Sequence, residues 1–200
     1  MTTKTPRHRD RVAKTEAIIE ATRELIGKKG YVATTTNHIA KAAGVSIGLV
    51  YKYFPAGKDD ITYQISLLDH SSIVETLFEA QVKEDELPKR LHSMFLAWIK
   101  QHRENEPFLR AMNISMLSNP GQFRGYVDVV ERTAERMHVL FWPKEDRNLD
   151  SSARSKRLTL ALFHLIESVI HRHILHPRMF DKDEELAEFL TKIVLCIVEY

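Results

Sequence analysis

The side chains in this 200-residue sequence with an obvious capacity for chemistry fall into two sets. One is a crowd of imidazoles and a carboxylate: His164, Glu167, His171, His173 and His176. His164 and Glu167 are spaced i, i+3, and Glu167 and His171 i, i+4, so the three share one face of a helix. This is neither the H-E-x-x-H pattern of a zinc protease nor the paired E-x-x-H of a di-iron bundle. Read from the sequence, these are buried or interfacial histidines with satisfied hydrogen bonds, or else a polar anchor for a ligand. No metal ion and no cofactor is expected. The sequence contains no G-x-S-x-G, G-x-x-x-x-G-K-[ST] or G-x-G-x-x-G, and Cys196 is its single cysteine. No catalytic residue is assigned, and nothing supports an enzyme.

The other set is Tyr51, Lys52 and Tyr53, two phenols and an ammonium suited to phosphate oxygens. Residues 35–54 are the elements that must position them. Thr35 can cap a first helix, whose Ile39, Ala40 and Ala43 recur at helical spacing. Gly44 follows where a helix ends with positive φ. Ser46 offers a second cap, and a short second helix runs to Phe54 before Pro55. Two short helices joined by a tight glycine turn predict a helix-turn-helix, with the second helix reading DNA. Gly48, Leu49 and Lys52 fall on its outward face, while Val50 and Phe54 point inward. The expected DNA-contacting set is Thr35, Thr36, Ser46, Ile47, Gly48, Leu49, Tyr51, Lys52, Tyr53 and Lys58.

The run from Gly30 to Pro55, G-Y-V-A-T-T-T-N-H-I-A-K-A-A-G-V-S-I-G-L-V-Y-K-Y-F-P, resembles the N-terminal DNA-binding domain of the TetR family of transcriptional regulators. The resemblance covers about Val12 to Ile65. Two departures stand out. Thr36 occupies a usually aliphatic position, and Pro55, Ala56 and Gly57 precede Lys58 where the family has one residue fewer. The resemblance implies an all-α chain of about nine helices and a homodimer that binds a double-stranded operator. It further implies a C-terminal domain that binds a small effector and mediates dimerisation.

Charge distribution agrees. The net charge is +2, yet the first sixty residues carry 11 Lys and Arg against 6 Asp and Glu, leaving the remainder net acidic. A basic N-terminal segment is an electrostatic footprint for DNA. No run of about eighteen apolar residues predicts a transmembrane helix. The first ten residues lack the apolar core of a signal peptide, so a cytoplasmic protein is expected.

Hydrophobic periodicity places the other helices. An arm over Met1–Arg9 precedes a helix over Asp10–Lys29. A long helix starts at Lys58 and runs to about Val82, and an acidic turn follows. Further helices cover Leu87–Arg103, a stretch from Pro107, Phe123–Trp142, Leu158–Leu175 and Glu184–Tyr200, with a charged loop at Lys144–Asn148. The domains are read as 1–60, DNA-binding, and 61–200, effector-binding and dimerising. Aromatic and methionine residues of the middle helices suggest an apolar pocket lined by Met94, Trp98, Met112, Met116 and Met137, with His164 or Glu167 as polar anchor. The helix over 158–175 is apolar nearly all round and must be covered on two sides. A second copy is expected to cover it through Ala161, Leu165, Val169, Leu190, Ile193 and Ile197.

The reading is therefore a sequence-specific regulator, a repressor released by an apolar or aromatic effector. Two alternatives stand beside it. One is an all-α enzyme using the His164/Glu167/His171 face, and the other is a constitutive DNA-binding regulator without an effector.

Overall fold

The computed structural model describes residues 6–82, 86–142 and 149–198, and among them every regular element is helical. In chain order these are α1 (Pro6–Ala33), α2 (Thr36–Ala42), α3 (Ile47–Tyr53), α4 (Lys58–Val82), α5 (Leu87–Glu104), α6 (Glu106–Ser118), the 3-10 turn η1 (Pro120–Phe123), α7 (Arg124–Phe141), α8 (Leu149–Leu175) and α9 (Asp183–Val198). The arm residues before Pro6, the acidic turn at 83–85, the charged loop at 144–148 and the last two residues lie outside the described residues.

Three boundaries differ from the sequence expectation for physical reasons. Helix α1 begins at Pro6 rather than Asp10, because proline at a first helical position sacrifices no hydrogen bond. It breaks at Gly30, which adopts φ 78° and ψ 166°. Helix α8 begins at Leu149 rather than Leu158. Its added turns are polar and lack an apolar stripe, so periodicity could not find them. Helix α7 starts at Arg124, which puts Gly125 in the first turn, where it does little harm.

The chain divides into two compact units. The first comprises residues up to Asp69 together with Pro107–Arg124; the second comprises His70–Glu106 and Gly125 onward. Helices α1, α2 and α3 and the start of α4 build the first unit around Ile18, Ile26, Ile39, Val50, Phe54, Ile61 and Ile65, all 3% exposed or less. Leu68 of α4 faces outward at 53% exposed. Arg23 closes a two-pronged ion pair on Asp69, one arm of which measures 3.0 Å. Its guanidinium lies 5.5 Å from the centre of the Phe108 ring.

In the second unit α5 lies along α9 and against α8. Leu91, Met94, Phe95, Trp98 and Ile99 of α5 are buried, as are Leu186, Leu190 and Val194 of α9. The Trp98 and Phe163 rings meet with centroids 5.5 Å apart. Asp183, at the start of α9, accepts from Arg103 Nε at 2.9 Å and from His173 Nε2 at 3.2 Å. His173 Nδ1 accepts from the Met179 backbone N–H at 3.3 Å, which leaves Nε2 to carry the proton it donates. Helix α8 from Ala153 to Leu175 is long and apolar enough to cross a membrane by length and composition alone. Buried core helices pass the same test, and its Leu162, Phe163, Ile166, Ile170 and Ile174 are buried.

Candidate nucleic-acid interface

The turn between α2 and α3 is closed at every polar end. The Thr35 hydroxyl accepts from His38 N–H at 3.2 Å, and His38 Nδ1 accepts in return from Thr35 N–H at 3.4 Å. This reciprocal pair is a capping box in which histidine takes the place usual for Glu or Gln. At the other end Gly44 has φ 66°. Val45 N–H donates to the Ala40 carbonyl at 3.0 Å and Gly44 N–H to that of Lys41 at 3.3 Å, which together form a Schellman motif. Ser46 Oγ then accepts from Leu49 N–H at 3.2 Å and starts α3. Each cap adds roughly 1 kcal/mol. Short helices need that support, since seven residues cannot hold a helix on propensity alone.

Helix α3 buries one side and exposes the other. Val50 and Phe54 are 0% and 3% exposed. Ser46, Ile47, Gly48, Tyr51 and Lys52 are exposed, with Leu49 and Tyr53 half-buried. Across the turn Thr35 is exposed and Thr36 half-buried. Thr35, Thr36, Ile47, Tyr51 and Lys58 line one open groove, together with Val32, Thr34 and Asn37. Arg11 of α1 stacks over the Tyr53 ring at 5.6 Å, bringing a guanidinium beside α3.

What holds this face is a cluster under the groove. Gly57, at φ 63°, has little room for a side chain: a Cβ there would lie 3.0 Å from Thr36 Oγ1 and 3.1 Å from the Tyr51 ring, so both side chains would have to give way. The three-residue link before Lys58 thus fits because its last residue is glycine. Lys58 is half-buried, with its ammonium donating to the Tyr31 carbonyl at 2.7 Å and lying 3.8 Å from the centre of the Tyr31 ring. Its partial burial lowers its pKa. Lys58 therefore sits on the groove floor with its charge anchored inward, unlike Lys52. The Tyr31 hydroxyl donates to Asp59, and burial, with that hydrogen bond, raises the phenol pKa. Asp59 also accepts from Ser115 Oγ at 3.3 Å and Asn119 Nδ2 at 3.4 Å. Neither the His38 box nor this Tyr31–Asp59–Lys58 cluster was anticipated; only the spacing T-x-x-H hinted at the first.

Two capped short helices, a polar groove and an outward Tyr-Lys pair are the arrangement of a DNA reader, and the comparisons agree. Residues 18–63 match the family described as bacterial regulatory proteins, tetR family. This segment is a TetR-type DNA-binding domain. The chain is 22% identical to the HTH-type transcriptional regulator AcrR of Shigella flexneri over 87% of this chain and 84% of that protein. It is 25% identical to the HTH-type transcriptional regulator YxaF of Bacillus subtilis over 52% of this chain, and spans about half, 54%, of that relative. The crystal structure of the TetR family repressor AlkX from a Dietzia strain shares the fold, with a TM-score of 0.65 at 16% identity, covering 92% of this chain and 95% of that one.

The expected pocket residues are divided between the units. Met112 and Met116 belong to the first; Met94, Trp98, Met137, His164 and Glu167 belong to the second. Met94, Trp98 and Met137 are buried, and the Trp98 Nε1 donor has no hydrogen-bond partner among the described residues. His164 is exposed. Burial pushes the Glu167 carboxyl up to about 7. Of the residues expected to cover a second copy, Ala161 and Leu165 are exposed and Val169, Ile193 and Ile197 half-buried. Leu190 is a correction: it is 0% exposed within its own unit, because Leu186, Leu190 and Val194 form the α9 stripe that packs along α5. Phe189, 42% exposed, takes its place on the outer side.

Proposed function

We propose that this protein is a homodimeric, cytoplasmic repressor that binds a two-fold symmetric operator through α3 and is released by a small effector held in the second unit. The observation that carries the DNA part is the outward face of α3, with Tyr51 and Lys52 exposed beside a capped N-terminus at Ser46. Tyr51, Lys52 and Tyr53 hold phosphates, and Leu49 and Lys52 reach base edges. The exposed apolar positions Ala161, Leu165 and Phe189, with half-buried Ile193 beside them, support a dimer closed by α8 and α9. Such a dimer sets two recognition helices about 34–36 Å apart, or further on a longer site.

A ligand can release DNA only by binding one arrangement of the dimer better than the other. Helix α4 contributes residues to both units, so it is the element such a ligand must bias. The buried methionines and the unpaired Trp98 Nε1 favour an apolar or aromatic molecule with one acceptor. Selection of bound fragments from genomic DNA by the purified protein tests the reading. An inverted-repeat motif supports it, and failure to enrich any sequence at moderate salt rejects it.

A further inference from the structure

We propose that His102, Glu167 and His171 form a binding site for one divalent first-row transition-metal ion, such as Zn2+, Co2+ or Ni2+. Each residue offers a ligand atom, and the three atoms lie within 4.8 Å of one another. His102 comes from α5; Glu167 and His171 come from consecutive turns of α8; all three belong to the second unit. The two imidazole rings approach with centroids 5.2 Å apart.

A metal explains a polar atom that the protein leaves unpaired. Among the described residues His171 Nε2 is buried without a hydrogen-bond partner, and Glu167 Oε1 is 4.0 Å away, too far to accept from it. A buried imidazole nitrogen in that state costs free energy unless something occupies it. His102 is oriented for ligation. Its Nδ1 lies 3.1 Å from the Trp98 carbonyl, an acceptor only, so that nitrogen must donate and Nε2 keeps its lone pair. A backbone carbonyl behind the far nitrogen is the usual support of a metal-bound histidine.

The donor set selects the ion. Two imidazoles and a carboxylate suit borderline transition metals, whereas Ca2+ and Mg2+ prefer oxygen alone. Three protein ligands leave a coordination position for water or a small donor molecule. Bonds of about 2.0–2.1 Å would set tetrahedral ligand atoms roughly 3.4 Å apart, so the side chains need close by only about an ångström.

The test uses untagged full-length protein stripped with a chelator. Co2+ titration should give visible d–d absorption that saturates at one equivalent, and Zn2+ should raise the melting temperature. Glu167→Gln and His102→Gln should each lower affinity by more than about a hundredfold, exceeding what loss of an outer partner does. His164→Gln, at an exposed position on the same helix, should change nothing. Where a variant fails to fold, proton NMR of the wild type decides the location, because bound Co2+ should shift the ring protons of His102 and His171. Absence of a stoichiometric band and of any thermal shift overturns the proposal, as does binding that survives both substitutions or shifts other histidines instead.

Discussion

The Tyr51 ring lies against Gly57 so closely that a Cβ there would come within 3.1 Å of its Cε1. The glycine also has φ 63°, a conformation that costs other residues roughly 1–2 kcal/mol. Gly57→Ala should therefore lower stability by about that amount and turn Tyr51 out of place. Chemical denaturation measures the first effect. Operator affinity should fall further than the stability loss explains, and unchanged affinity in a folded variant would show that the Tyr51 position is unimportant.

Lys52 and Lys58 should behave differently although both are lysines of the same groove region. Lys52 is exposed, so Lys52→Ala should flatten the dependence of log affinity on log salt by roughly one unit. Lys58 is bound to the Tyr31 carbonyl and ring, so Lys58→Met should lower the melting temperature and leave the salt slope nearly unchanged. Affinity measured by fluorescence anisotropy at several salt concentrations separates the two.

Position 165 and position 190 give an analogous contrast. Leu165 is 41% exposed and Leu190 is 0% exposed. Leu165→Glu should yield monomers with little loss of monomer stability, since the new charge faces water once the partner is gone. Leu190→Ala should cost about 2–5 kcal/mol by opening a cavity. Sedimentation velocity together with urea unfolding checks both, and a dimer that survives Leu165→Glu would remove α8 from the interface.

The helical architecture was legible in the sequence because its signals are local. Caps at Thr35 and Ser46, the glycine at 44 and the periodicity of α5 each need only a few neighbouring residues. What escaped was non-local or polar. Nothing in the sequence ties Lys58 to Tyr31, or His102 to Glu167 and His171, because those neighbours meet only after folding. Leu190 and Leu165 look alike in a hydrophobic stripe, and only the packing of α9 along α5 tells the inner from the outer. The first turns of α8 carried no stripe to read.

Acid sensitivity should trace in part to His70. Its Nε2 lies 2.6 Å from Thr133 Oγ1, whose own proton goes to the Val129 carbonyl at 3.0 Å, so His70 donates. Burial pushes its pKa down to about 4 from 6.5. The unfolded chain then binds more protons between those values, and stability is full above pH 6.5 and falls as pH drops toward 4. His102 and His171, also pushed down by burial, act in the same sense. The His70 share is about 2 kcal/mol at pH 5. His70→Gln should lose that much less stability than the wild type between pH 7.5 and pH 5, measured by urea unfolding. An identical loss in both proteins would contradict the assignment.

The central claim is that α3 reads DNA. Fluorescence anisotropy of a labelled, selected operator duplex, against a scrambled duplex of equal length and salt, measures it most directly in the wild type and in the Tyr51→Phe/Lys52→Ala double variant. The account predicts tight binding to the operator by the wild type, at least about a thousandfold tighter than to the scrambled duplex, and a marked loss in the folded double variant. Equal affinity of the wild type for both duplexes, or full operator affinity in the double variant, would contradict it.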